Sequence, residues 1–254
     1  MHLKRSTTSQ AAWIVFTFFL LWEMSVRLLG TPIYILPAPT HIVLTLFQNL
    51  DYFILASSIT LAEALVGLCL GLLCGFTLAA LLTLLPGLED GVMTLAILVK
   101  STPLVAIAPL LTLWLGFGPI PKIIITALLT FFPVLVNMLS GFQKYDPALM
   151  DVFRAWHASS WEIFVHLRLR SAFPFLFAAL RITAPLALIG AVVAEWTGAS
   201  GGLGRIMWLA YANLNLPYLF AAIFILAISG MLWYQGILLL ERKFIFWHQN
   251  QSIL

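Results

Sequence analysis

The chain has 254 residues, 62% of them hydrophobic and 9% charged, with a formal charge of +3 and a mean hydropathy of +1.02. Soluble domains carry roughly 25% charged residues, so this composition excludes a water-soluble core and points to a polytopic membrane protein. The small net charge, with most basic residues in loops and at the ends, implies no nucleic-acid partner.

A bilayer core takes about 20 apolar residues as helix, and on that ruler six spans are predicted. The first covers about Ala11–Leu29. It resembles a secretory signal, but Glu23 and Arg27 interrupt it and no small-x-small cleavage site follows, so it reads as a retained span. Glu23 and Arg27 stand four apart, the spacing of an intrahelical ion pair. A loop with the turn-rich stretch LPAPT (Leu36–Thr40) and a short amphipathic piece, His41–Leu50, lead to the second span, about Ile59–Leu85. Its Gly67, Gly71 and Gly75 form a small-xxx-small face for close helix contact. Cys69 and Cys74 lie on different faces of that helix, as packing residues rather than a disulfide or metal pair. Glu63, near its outer end, is expected to reach water.

After the acidic turn Pro86–Gly91, the third span (about Val92–Leu115) is expected to be kinked by Pro103 and Pro109. Its Lys100, ahead of the Pro103 break, either faces a pathway or snorkels to the cytoplasmic surface. The fourth span is about Lys122–Leu139, the fifth about Phe175–Trp196 and the sixth about Tyr218–Leu240; the tail ERKFIFWHQNQSIL ends the chain. The loop before the sixth span, Thr197–Gly204, is rich in glycine and reads as a flexible turn. One domain, 1–254, holds all six helices.

Between the fourth and fifth spans lies a polar island, residues 141–174, with the start signals of two short helices. Asp146 before Pro147 is an N-cap ahead of a proline at the first helical position. Leu149, Val152, Phe153 and Trp156 then form one apolar stripe. Ser159 with Glu162 three residues on is a capping box, and Trp161, Phe164 and Val165 supply the second apolar face. Two amphipathic helices joined by a bend at His157–Ala158, held at a membrane surface, suit docking of a soluble partner.

Basic residues set the orientation. With the N-terminus inside, the cytoplasmic segments hold Lys4, Arg5, Lys144, Arg154, Arg168, Arg170, Arg242 and Lys243, and the outside segments hold Lys122 and Arg205. Both termini and the island are therefore expected on the cytoplasmic side.

The island and fifth span, ALMDVFRAWHASSWEIFVHLRLRSAFPFLFAALRITAPLALIGAVVAEW, resemble the loop and following helix of binding-protein-dependent ABC transporter permeases. The branch is that of the sulfonate, taurine, nitrate and thiamine-precursor permeases. LPAPT, STPLVAIAPLLTLWLGFGPIPK, FFPVLVN and GASGGLG agree in the same order. The resemblance implies an all-α, type I importer permease (MetI-like) fold of six transmembrane helices in a bacterial cytoplasmic membrane. It also implies a second copy of the chain, two ATPase subunits that bind ATP and magnesium, and a periplasmic or extracellular solute-binding protein. In that family the island is the coupling loop. Asp151 takes its acidic position, Phe153 an alanine position, His157 the bend glycine and Arg170 the proline position; the last three depart from the pattern. A histidine at the bend predicts either a less sharp turn or a different partner groove. The coupling set is Asp151, Phe153, Arg154, Trp156, His157, Ser159, Trp161, Glu162 and Phe164.

Ionisable residues inside spans are functional candidates, and the translocation set is Lys100, Pro103, Arg181, Glu195 and Trp196. Arg181 is expected to reach the inner headgroups. Glu195 and Trp196, at the outer end of the fifth span, are candidates for an outer gate or solute contact, or else an interfacial anchor. No GxxxxGK[ST] loop, no histidine pair at metal-ligand spacing and no serine–histidine–acid set occurs, so no catalytic or metal residue and no cofactor is assigned to this chain. The implied solute is a thiamine pyrimidine precursor, with a sulfonate, taurine or nitrate next. A channel or secondary transporter working without ATP is the reading of another class, and it would not need a capped amphipathic island.

Overall fold

The structure is a computed structural model describing residues 3–245; Met1, His2 and the tail from 246 onward lie outside the described residues, as do the side chains of Lys4 and Arg5. Every element among the described residues is helical, so the chain is all-α as expected. Helix α1 (Leu3–Leu28) covers the expected first span and α2 (Pro39–Gln48) the amphipathic piece. Among the described residues, four helical runs are each long and apolar enough to cross a membrane: α3 (Leu50–Leu84), α6 (Pro119–Gln143), the run Ser160–Glu195 and α11 (Leu216–Phe244).

The glycine stripe of α3 builds the centre of the bundle. A Cβ on Gly67 would lie 2.6 Å from Thr126 Cγ2, and one on Gly75 2.8 Å from the Phe131 carbonyl oxygen. Only hydrogen at these positions lets α3 and α6 come so close. The other flank of α6 takes α9 (Leu169–Glu195), where Gly190 packs on Thr126 and Leu129. Ala79, Leu82, Val134, Leu135, Met138, Phe142, Phe164 and Ala172 fill the core between these three helices at the island end. Helix α11 lies on the far side of α9, with Trp233 and Ile237 against Phe177 and Leu188.

Two expectations change. The third span is two helices, α4 (Glu89–Ser101) and α5 (Leu104–Leu115), and the axis turns by 95° across the break between them. Thr102 and Pro103 are extended there, because a proline disfavours helical backbone in the residue before it. Pro109, by contrast, sits inside α5 without ending it. The fifth span has no loop before it. The short helix α8 (Ser160–Ile163) continues through a π-helical turn (Phe164–Arg168) into α9, and Arg170 at the family's proline position keeps the backbone N–H that lets the helix run on.

Candidate functional site

The island carries both predicted start signals in place. Helix α7 (Pro147–Ala155) begins at Asp146, whose carboxylate accepts from the Ala148 amide at 2.9 Å. It ends in a Schellman arrangement: the His157 amide donates to the Arg154 carbonyl and the Ala158 amide to the Phe153 carbonyl, each at 3.0 Å. His157 occupies the left-handed position of that motif, φ +52°, where glycine is usual. The bend is therefore fully made, and the less sharp turn expected of histidine is not what forms. Ser159 then caps α8. Its hydroxyl accepts from the Glu162 amide at 3.3 Å, while Glu162 Oε2 accepts from the Ser159 amide at 2.7 Å, the reciprocal pair of a capping box.

These caps fix which side chains face outward. Leu149, Val152, Trp156 and Trp161 are exposed on the island's outer surface, Trp156 at 76%. Asp151 and Arg154 are also exposed, 3.7 Å apart, as a weak surface ion pair. Phe153 is half-buried. Phe164 does not belong to the outward face. It is buried between Phe142, at 5.1 Å between ring centres, and Trp161, which stacks on it at 5.8 Å. With Phe142 it joins the core between α3, α6 and α9. Arg168 stands over the Tyr145 ring and donates to the Thr83 carbonyl, tying the island to the end of α3.

At the opposite end of the bundle, three charges meet inside the protein. Glu195 is only 1% exposed, and its carboxylate accepts from the Thr60 hydroxyl at 2.6 Å and from the Gly204 amide. The Thr60 hydroxyl oxygen in turn accepts from the Leu203 amide at 2.8 Å. Lys122, 1% exposed, donates to the Phe117 and Gly118 carbonyls at 2.8 and 2.7 Å and is an electrostatic neighbour of both Glu63 and Glu195. The glycines follow from this. A Cβ on Gly202, at φ +104°, or on Gly204 would strike the Glu195 carboxylate. The loop before α10 (Leu203–Ala212) is thus a cradle around a carboxylate, not a flexible turn.

This arrangement corrects several placements. Glu63 is buried beside Lys122 and Glu195 instead of reaching water. Lys122 is a residue of the bundle, not of an outer loop. Glu195 is consumed by Thr60 and the loop amides, so it has no free face for a solute. Trp196 is half-exposed on an apolar groove of about 550 Å3 between α9 and α11. Arg181 pairs with Glu241 near the end of α11. The Glu23–Arg27 pair forms as spaced, at 2.6 Å, and Glu23 also accepts from the Thr40 amide at 3.1 Å, which holds α2 to α1. Lys100 is exposed beside the α4–α5 break, with its ammonium 4.5 Å from the centre of the Phe132 ring. The sequence offered a signal for the missed pair Glu63 and Lys122, since each is an ionisable residue within or next to an apolar run. It offered none for their meeting.

Residues 67–245 match the family described as the binding-protein-dependent transport system inner membrane component. The formylaminopyrimidine transport permease protein ThiX of Halalkalibacterium halodurans is 34% identical over 251 residues, 98% of this chain and 100% of that one. The putative aliphatic sulfonates transport permease protein SsuC of Bacillus subtilis is 33% identical and covers 85% of this chain and 79% of its own. In fold, the chain is similar to the inward-facing MetNI methionine ABC transporter, with a TM-score of 0.68 at 20% identity over 77% of this chain and 97% of that one. The chain belongs to the family of binding-protein-dependent transport system inner membrane components, and it is an ABC transporter permease subunit rather than an enzyme.

Proposed function

We propose that two copies of this chain form the solute pathway of an importer, with a separate ATPase on each island and an external solute-binding protein on the opposite face. The observation that carries this reading is the exposed set Leu149, Val152, Trp156 and Trp161 on a rigidly capped element. Large apolar side chains left in water next to a membrane mark a surface awaiting a protein partner, and aromatic anchors dominate interface energy. Asp151, Arg154, His157, Ser159 and Glu162 shape and rim that surface, Phe153 lies at its edge, and Phe164 supports Trp161 from beneath.

The distribution of charge favours the island and both termini in the cytoplasm, with α1 counted as the first of six spans. Once Lys122 is taken as a bundle residue, the segments expected inside hold eight basic residues, against Arg205 outside and Arg27 in the last turn of α1. Closure of the ATPases on ATP would drive the islands, and the continuous run from Ser160 to Glu195 transmits that movement as one lever. The solute is a thiamine-type pyrimidine precursor such as formylaminopyrimidine, supported by the full-length likeness to ThiX.

Mixing the detergent-purified chain with its ATPase and recovering a complex tests the reading. Stoichiometric co-purification and ATP-dependent uptake are expected. Uptake by the chain alone, without ATP, would contradict it.

A further inference from the structure

The break between α4 and α5 sets a physical problem that the rest of the bundle does not. Lys100 stands eleven residues past Glu89, roughly 16 Å of helix rise, about half the roughly 30 Å apolar thickness of a bilayer. A lysine side chain is too short to snorkel from there to a surface. Ser101 ends α4, Thr102 and Pro103 follow in extended backbone, all three are exposed, and α5 begins with no side-chain cap. Non-helical backbone at membrane depth is tolerated only against protein or against water, and an ammonium at that depth has the same requirement. Among the described residues, Lys100 lies against the face of the Phe132 ring and donates to no acceptor there, although an ammonium carries three donor hydrogens.

We infer that Lys100, with the Phe132 ring beneath it and the exposed Thr102–Pro103 break beside it, lines the water-filled solute path at mid-membrane and selects planar solutes rich in hydrogen-bond acceptors. The inference rests on the importer reading and adds the chemistry of its path. A flat ring stacks on Phe132, and its ring nitrogens or exocyclic oxygens accept from the Lys100 ammonium, a charge-assisted contact. Lys100 is thereby a specificity-determining residue, whereas Glu195, with its carboxylate occupied, is not.

The test has two arms on the transporter assembled with its ATPase. In the first, Lys100→Cys is made with Cys69 and Cys74 changed to serine, and a charged, membrane-impermeant thiol reagent is applied, with Ser140→Cys as a control at the exposed island end of α6. Labelling at position 100 that changes when ATP and vanadate trap the complex is expected. Absence of labelling in every nucleotide state, with Ser140→Cys labelled, would mean that lipid or a second copy covers the site, and overturns the inference. In the second arm, uptake of formylaminopyrimidine by Lys100→Met should show a KM raised about tenfold at unchanged ATPase association, with Lys100→Arg within about threefold of the parent. An unchanged KM for Lys100→Met overturns the selectivity. Should the parent not carry formylaminopyrimidine at all, the proposed solute fails while the first arm still decides whether Lys100 faces water.

Discussion

Thr60 and Glu195, 135 residues apart in the chain, meet in a buried hydrogen bond of 2.6 Å that joins α3, α9 and the loop before α10. Glu195→Ala leaves the Gly204 amide unpartnered, takes from the Thr60 hydroxyl its shortest acceptor and leaves it the Ala56 carbonyl, and removes an electrostatic neighbour from Lys122. A buried donor left without its acceptor costs roughly 1–3 kcal/mol. Glu195→Gln keeps the acceptor oxygen and should cost clearly less. Thermal unfolding in detergent ranks the two, and an alanine variant as stable as the parent would show the network to be idle.

The α3–α6 contact makes Gly71 intolerant. A Cβ there would lie 2.7 Å from the Ala127 carbonyl and against the Thr130 hydroxyl, and a backbone carbonyl cannot swing aside. Gly71→Val should part the two helices and abolish a monodisperse protein. Gly87→Ala, whose added carbon meets open space, should leave the protein intact. Size-exclusion profiles in detergent compare the pair.

His157 sits at φ +52°, a conformation that costs a non-glycine residue roughly 1–2 kcal/mol. His157→Gly should therefore stabilise the island or leave it unchanged, and ATPase binding should persist. His157→Val, with a branched Cβ, should loosen the bend and weaken that binding. Affinity for the ATPase and melting temperature, measured together, separate the two effects.

Trp156 and Phe164 look alike in sequence, since each lies on an apolar stripe of the island, but their variants should fail differently. Trp156 is exposed, so Trp156→Ala should keep the melting temperature and weaken ATPase association by tenfold or more. Phe164 is buried beside Phe142, so Phe164→Ala should lower stability by about 3–5 kcal/mol. Equal melting losses for the two would contradict the separation of outward and inward faces.

This contrast also marks where the sequence stops being informative. The Asp146 and Ser159 caps, the Gly67–Gly71–Gly75 face and the Glu23–Arg27 pair are all local, made by residues within a turn or two of each other, and each forms as its spacing predicts. Phe164 was misread because a stripe drawn on one segment does not say which of its residues another helix covers: Phe142 of α6 covers Phe164 and leaves Trp161 exposed. Pro103 announced a disturbance, but a 95° change of direction depends on what α4 and α5 pack against, which a single segment does not encode. The union of Glu63, Lys122 and Glu195 was not legible, because three helices bring it together and each residue alone resembles a span-end charge. The cluster in turn explains the glycines of 201–204, which by composition alone resemble a flexible loop.

The central claim, that the capped island faces the cytoplasm and receives the ATPase, is tested most directly by the sidedness of position 156. In a Trp156→Cys variant with Cys69 and Cys74 replaced by serine, an impermeant thiol reagent should label inside-out vesicles and not intact cells, and bound ATPase should block the labelling. Labelling of intact cells from outside, at the same position, would contradict the account.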